Sequence, residues 1–122
     1  MKYRIRFMPE AVADRKEIRA YLSQYTDSTA ERFFVRLKER LGQLKEFPYS
    51  CPAYEDDPDF RKMVVGDYLV FYTVDEDNKT VEIHRIFHGT QDIKRHLDLD
   101  RAMAQLARGE ETVHKLIEVD DD

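Results

Sequence analysis

Cysteine is nearly absent from this chain of 122 residues: Cys51 is the single one. One thiol excludes an intramolecular disulfide and any CxxC site, and fits a reducing compartment. Long apolar runs are missing as well. No stretch approaches the roughly 20 residues needed to cross a bilayer, so no membrane partner is expected. The start, Met1-Lys2-Tyr3-Arg4-Ile5-Arg6-Phe7, has no apolar core of a signal peptide. A cytoplasmic protein is the expectation. There is no glycine-rich phosphate loop and no Ser/His/Asp arrangement, so no cofactor is expected. The sequence also lacks a basic excess. Residues 1–97 hold 17 Lys and Arg against 17 Asp and Glu, and residues 98–122 hold 3 against 8, which accounts for the whole net charge of −5. Nucleic-acid binders usually carry a basic surplus. This body has none overall, and the run Glu55-Asp56-Asp57-Pro58-Asp59 argues against a broad RNA-binding surface.

What is present suffices for one core. The chain is 42% hydrophobic, with 7 Tyr and 7 Phe, and its length suits one domain that folds without disulfides. Residues 2–7 alternate between Tyr3, Ile5, Phe7 and Lys2, Arg4, Arg6, the period of a half-buried strand. Pro9 then stands where a helix can begin, with Glu10 in its first turn. Ala11, Ile18, Tyr21, Leu22 and Tyr25 follow at helical spacing. Ser28-Thr29-Ala30-Glu31 has the form of a capping box. After it, Ala30, Phe33, Phe34, Leu37, Leu41 and Leu44 make one wide apolar stripe that Pro48 stops. The short link makes the two helices an antiparallel hairpin.

A proline-bearing loop over 48–59 leads to three strands: Phe60–Val65, Tyr68–Val74 and Val81–Phe87. A Gly66-Asp67 turn and a polar turn over 75–79 join them into an antiparallel meander. Residues 68–74 show no polar alternation, which places that strand in the centre of a sheet. Gly89 breaks the last strand. Thr90 or Asp92 can cap a third helix with Ile93, Leu97, Met103 and Leu106, ended by Gly109. The expected fold is α+β: an N-terminal strand, a helix hairpin, a three-stranded meander and a C-terminal helix. The expected division is a domain over 1–97 and an acidic helical extension over 98–122.

Four local patterns give this order a resemblance. Leu44-Lys45-Glu46-Phe47-Pro48 closes the second helix. Phe60-Arg61-Lys62-Met63-Val64-Val65 and Tyr68-Leu69-Val70-Phe71-Tyr72-Thr73-Val74 form successive strands. Ile83-His84-Arg85-Ile86-Phe87-His88-Gly89-Thr90-Gln91-Asp92 ends the sheet. Over about residues 2–97 the chain resembles the RelE/ParE family of toxins from type II toxin–antitoxin systems, nearer the ParE branch.

The resemblance implies growth inhibition, plasmid stabilisation and a cognate antitoxin in a toxin–antitoxin hetero-oligomer. ParE-like members are similar to inhibitors of DNA gyrase, which act by binding. RelE-like members are similar to ribosome-dependent, metal-independent mRNA endonucleases, and a member without toxicity is a third reading. For cleavage, a 2′-hydroxyl must be activated, a leaving oxygen protonated and phosphorane charge neutralised. At matching positions the candidates are Arg61, Arg85, His88 and Tyr72. The chain departs from the nuclease pattern at Gln91, where a basic residue is usual, and at Leu69 and Val70, where an arginine precedes the tyrosine. It also has no tyrosine after Tyr72. Arg61, Lys62, Arg85 and His88 are the candidates for contact with antitoxin or target.

Each candidate has a plain structural reading beside the functional one. In a regular last strand Arg85 is in phase with Val81, Ile83 and Phe87, so it makes either a target contact or a structural ion pair. His88, in phase with His84 and Ile86, is a general acid or a strand-end hydrogen-bonding group. No third ligand is placed to make His84 and His88 a metal site. Arg61 binds phosphate or antitoxin carboxylates, or pairs with the acidic run before it. Tyr72 shares a face with Tyr68, Val70 and Val74, as a core residue does. The tail is either a longer third helix or a segment that covers the antitoxin groove.

Overall fold

Five strands form one sheet in the order β1-β5-β4-β3-β2. The structure, a computed structural model, describes residues 2–89, 93 and 95–102. They fall into two compact units divided between Gln91 and Asp92. The first holds β1 (Arg4–Phe7), α1 (Pro9–Ser23), α2 (Asp27–Glu46), β2 (Ala53–Tyr54), β3 (Asp57–Val65), β4 (Tyr68–Asp75) and β5 (Thr80–His88). In the second, residues 95–102 are helical. The expected caps at Thr90 and Asp92, the stop at Gly109 and the tail from 103 onward lie outside the described residues.

β1 runs parallel to β5, and the remaining neighbours are antiparallel. β4 is central, as its unbroken apolar run requires, and Val70, Phe71 and Tyr72 have no exposed surface. Tyr68, Val70 and Tyr72 belong to the core formed with the helix hairpin, together with Leu37, Leu41, Leu44, Val81, Ile83 and Ile86. Burying one such leucine contributes about 2–3 kcal/mol. Phe71 lies in the opposite phase and meets Tyr54 and Phe87 by ring contacts at 4.9 and 5.9 Å.

Four local features differ from the pattern read in the sequence. Thr26, not Ser28, caps α2: its hydroxyl accepts from the Thr29 N–H at 3.2 Å. Thr26 is the residue with extended backbone (φ −155°, ψ 155°), which aims its side chain back along the first turn. Ser28 is already helical, and Glu31 pairs with Arg19 instead of closing a capping box. Tyr21 and Tyr25 leave the stripe of α1; they are 49% and 64% exposed and share a hydroxyl–hydroxyl contact of 3.0 Å. The loop over 48–59 contains β2, and β3 begins at Asp57, three residues before Phe60.

The fourth difference is a bulge. Phe71 pairs with Arg85 and Tyr72 with Ile83, so His84 is an extra residue in β5. One inserted residue inverts the phase beyond it. Ile86 therefore joins Val81 and Ile83 in the core, while Phe87 joins Phe71 on the other face. The regular register expected for Arg85 and His88 does not hold.

Candidate functional site

Asp14 is the acid that breaks the buried stripe of α1, between Ala11 and Ile18. Its carboxylate accepts from Arg85 Nε at 2.8 Å, from Arg85 Nη2 at 3.0 Å and from the Ile86 N–H at 2.9 Å. The side chains are 9% and 16% exposed. β1 explains why the acid is needed. It stops at Phe7 opposite Ile83, so β5 continues past its parallel neighbour with a bare edge. Asp14 takes the place of the missing strand at Ile86 and neutralises the arginine beside it. The Arg85 guanidinium also lies 4.4 Å above the Phe87 ring. A fork-to-carboxylate pair of this kind fixes orientation as well as charge.

Arg61, on β3, reaches across to the loop before β2. Its Nη1 donates to the Cys51 carbonyl at 2.7 Å and to the Tyr49 carbonyl at 3.5 Å, and the guanidinium stands 4.8 Å from the Tyr49 ring. Tyr72 closes the same loop from inside by donating its hydroxyl to the Pro48 carbonyl at 2.8 Å. Burial pushes the Tyr72 phenol well above its ordinary value of 10. The neighbouring Lys62 lies over the Tyr54 ring at 5.8 Å.

The bulge separates the two histidines. His84 Nε2 meets the Thr73 hydroxyl at 2.8 Å, with its ring edge-on to Phe60. His88 is edge-on to Tyr68 at 5.3 Å. Thr73 and Tyr68 are out of phase on β4, so the histidines occupy opposite faces of the sheet. Among the described residues, no three His, Cys, Asp or Glu side chains gather to hold a metal ion.

Two further features carry no obvious mark in the sequence. Glu76, in the turn between β4 and β5, accepts from Tyr3 at 2.7 Å, Tyr49 at 2.5 Å and Lys79 at 2.9 Å. The Tyr49, Lys79 and Tyr3 donors hold its carboxyl down to about 2. The second is a groove of about 720 Å³ between the helix hairpin and the turn joining β3 to β4. Leu22, Phe33 and Tyr68 line it with Arg32 and Arg36. Asp14 left a readable signal, a carboxylate at an apolar helical position; Glu76 left none, because three distant segments supply its donors.

The sequence patterns and this architecture meet in one comparison. A family model described as the ParE toxin of the type II toxin–antitoxin system, parDE, matches residues 5–93. The chain belongs to the ParE toxin family. Solved structures agree on the fold. The toxin of the chromosomal ParDE system from P. aeruginosa is similar, with a TM-score of 0.58 at 16% identity over 71% of this chain and 96% of that one. The isolated E. coli RelE toxin aligns with a TM-score of 0.53 at 16% identity, covering 82% and 98%. The RelBE2 complex from M. tuberculosis gives 0.50 at 21% identity, covering 72% and 99%. No curated protein matches by sequence. Among the described residues of this ParE family member, no helix is long and apolar enough to cross a membrane.

Proposed function

We propose that the chain is a binding toxin that inhibits DNA gyrase and is silenced by a cognate antitoxin. The observation that carries this reading is the pairing of Arg85 with Asp14. An arginine recruited to a phosphorane must present its charge to an open cleft. Here the carboxylate already neutralises it, and Arg61 and Tyr72 are likewise engaged with backbone carbonyls. In this reading Arg85 and Arg61 hold the frame. Contacts to partners fall to Lys62, His88 and the groove. Leu22, Phe33 and Tyr68 offer an apolar floor to an antitoxin helix, and Arg36 offers a charge for its acidic groups. Family membership supports the antitoxin partner, and the ParE branch supports gyrase.

The test is a map of mRNA ends on translating ribosomes supplied with the purified chain. The binding reading expects no new ends. Cuts that vanish in a folded His88→Ala or Arg85→Ala variant would establish an endonuclease instead. Absence of both cuts and gyrase inhibition would mark a member that keeps the fold without toxicity.

A further inference from the structure

We infer that the outer face of α2 is a self-complementary interface, on which a second copy of this chain docks with its own α2 antiparallel. This goes beyond the toxin reading and does not depend on the target, although Arg32 and Val35 also line the groove offered to the antitoxin, so a second copy and the antitoxin helix compete for this face. A helix advances about 100° per residue. On α2, Ser28, Val35 and Gly42 therefore stand within about 20° of one line, opposite the buried Leu37, Leu41 and Leu44. Val35 is 55% exposed at the middle of that line. A Cβ added at Gly42 would meet nothing within 4 Å. The line is small and open, as close approach of a second helix requires.

The charges on its flanks decide the occupant. Arg32 and Glu39 stand about 40–60° to one side of the Val35 line, and Glu31 and Lys38 as far to the other. Among the described residues Arg32, Lys38 and Glu39 make no ion pair, and Glu31 meets only Arg19, at 3.2 Å. A two-fold axis through Val35 leaves each flank facing the same flank of its copy. Arg32 then meets Glu39 of the second chain, and Glu31 meets Lys38, each with an axial offset of about 1.5 Å, one residue's rise. Both contacts occur twice. The like-charged combinations, Arg32 with Lys38 and Glu31 with Glu39, share a height but lie on opposite flanks, so they never face. Val35 packs on Val35, and Ser28 sits over Gly42. One helix against its copy lies at the small end of specific interfaces, below about 1,200 Å². Interfaces of that size are mostly transient, so the dimer is expected to form reversibly with concentration.

Sedimentation velocity of the full chain from about 5 to 300 µM, in 0.15 M salt, reads the equilibrium. The expected result is a monomer that converts to dimer with concentration. Arg32→Glu and Glu39→Arg each turn two attractions into repulsions, and should weaken association about ten- to thirtyfold. The double variant, Arg32→Glu with Glu39→Arg, should restore it, because each partner now meets its reversed mate. Val35→Asp should leave only monomer with unchanged circular dichroism. A native chain that stays monomeric throughout would overturn the inference. So would a dimer indifferent to the single reversals, or a double variant that is not rescued. Gyrase inhibition by the native chain, read at concentrations far below those at which it dimerises, reports the monomer alone, so the toxin reading stands or falls separately.

Discussion

Replacing Asp14 by alanine is the perturbation with the largest effect to work from the structure. It removes the acceptor of three hydrogen bonds, two from the Arg85 guanidinium and one from the Ile86 N–H. The Arg85 side chain is only 16% exposed, so water does not readily replace the carboxylate. Breaking a buried pair from one side costs about 3–5 kcal/mol. In a domain of this size each kcal/mol lowers the melting temperature by roughly 4–8 °C. Asp14→Ala should therefore melt some 12 °C or more lower by this conversion, with the urea m-value unchanged. Asp14→Asn keeps an acceptor for the Ile86 N–H and should recover about 1 kcal/mol. Asp14→Leu combined with Arg85→Met removes both charges and should lie within about 1–2 kcal/mol of the native chain. If Arg85 serves the frame alone, that stable double variant still inhibits growth. The reasoning is refuted if Asp14→Ala unfolds within about 1 kcal/mol of native, or if the folded double variant is inert.

Other expectations follow from single contacts. Tyr72→Phe leaves the Pro48 carbonyl without its buried donor and should cost about 1–2 kcal/mol by urea unfolding, with growth inhibition kept. Gly66 has φ 61° in the two-residue loop between β3 and β4, the position where a type II′ turn favours glycine. A Cβ there meets only Arg36 Nη1 at an ordinary 3.6 Å, so Gly66→Ala should cost the backbone strain alone, about 1–3 kcal/mol. Glu76 is depressed from 4.5 to about 2. A depressed carboxyl stabilises the fold above its unfolded value and loses that contribution as pH falls through the folded one. Melting temperature should thus drop more steeply between pH 4.5 and 2 in the native chain than in Glu76→Gln; parallel curves would contradict the three-donor arrangement.

Much of the frame is readable in side-chain periodicity. β1, the two helices and the central β4 follow from the spacing of Tyr3, Ile5 and Phe7, of Leu37, Leu41 and Leu44, and of the run Tyr68–Val74. Burial dictates those positions, and burial has a period. The bulge at His84 is different. A single extra residue costs no change in composition, yet it reverses the faces on which Ile86, Phe87 and His88 fall. It also sets Arg85 and the Ile86 N–H against α1, where Asp14 waits. The acid was visible as an exception in the stripe of α1, but its partner lies 71 residues away and no local rule links them. Arg61 shows the same limit. Next to an acidic run in sequence, it reaches backward to the Cys51 carbonyl instead, because the chain returns through β2 alongside β3. Thr26 outcompetes Ser28 as cap for a purely local reason, since the link from α1 needs one extended residue before the helix starts.

The central claim is inhibition by binding, and titration of the purified chain into a DNA gyrase supercoiling reaction tests it most directly. The account predicts that supercoiling falls as the chain approaches gyrase in concentration, and that the Asp14→Leu, Arg85→Met variant inhibits as the native chain does. Undiminished supercoiling at a large excess of folded chain would contradict it.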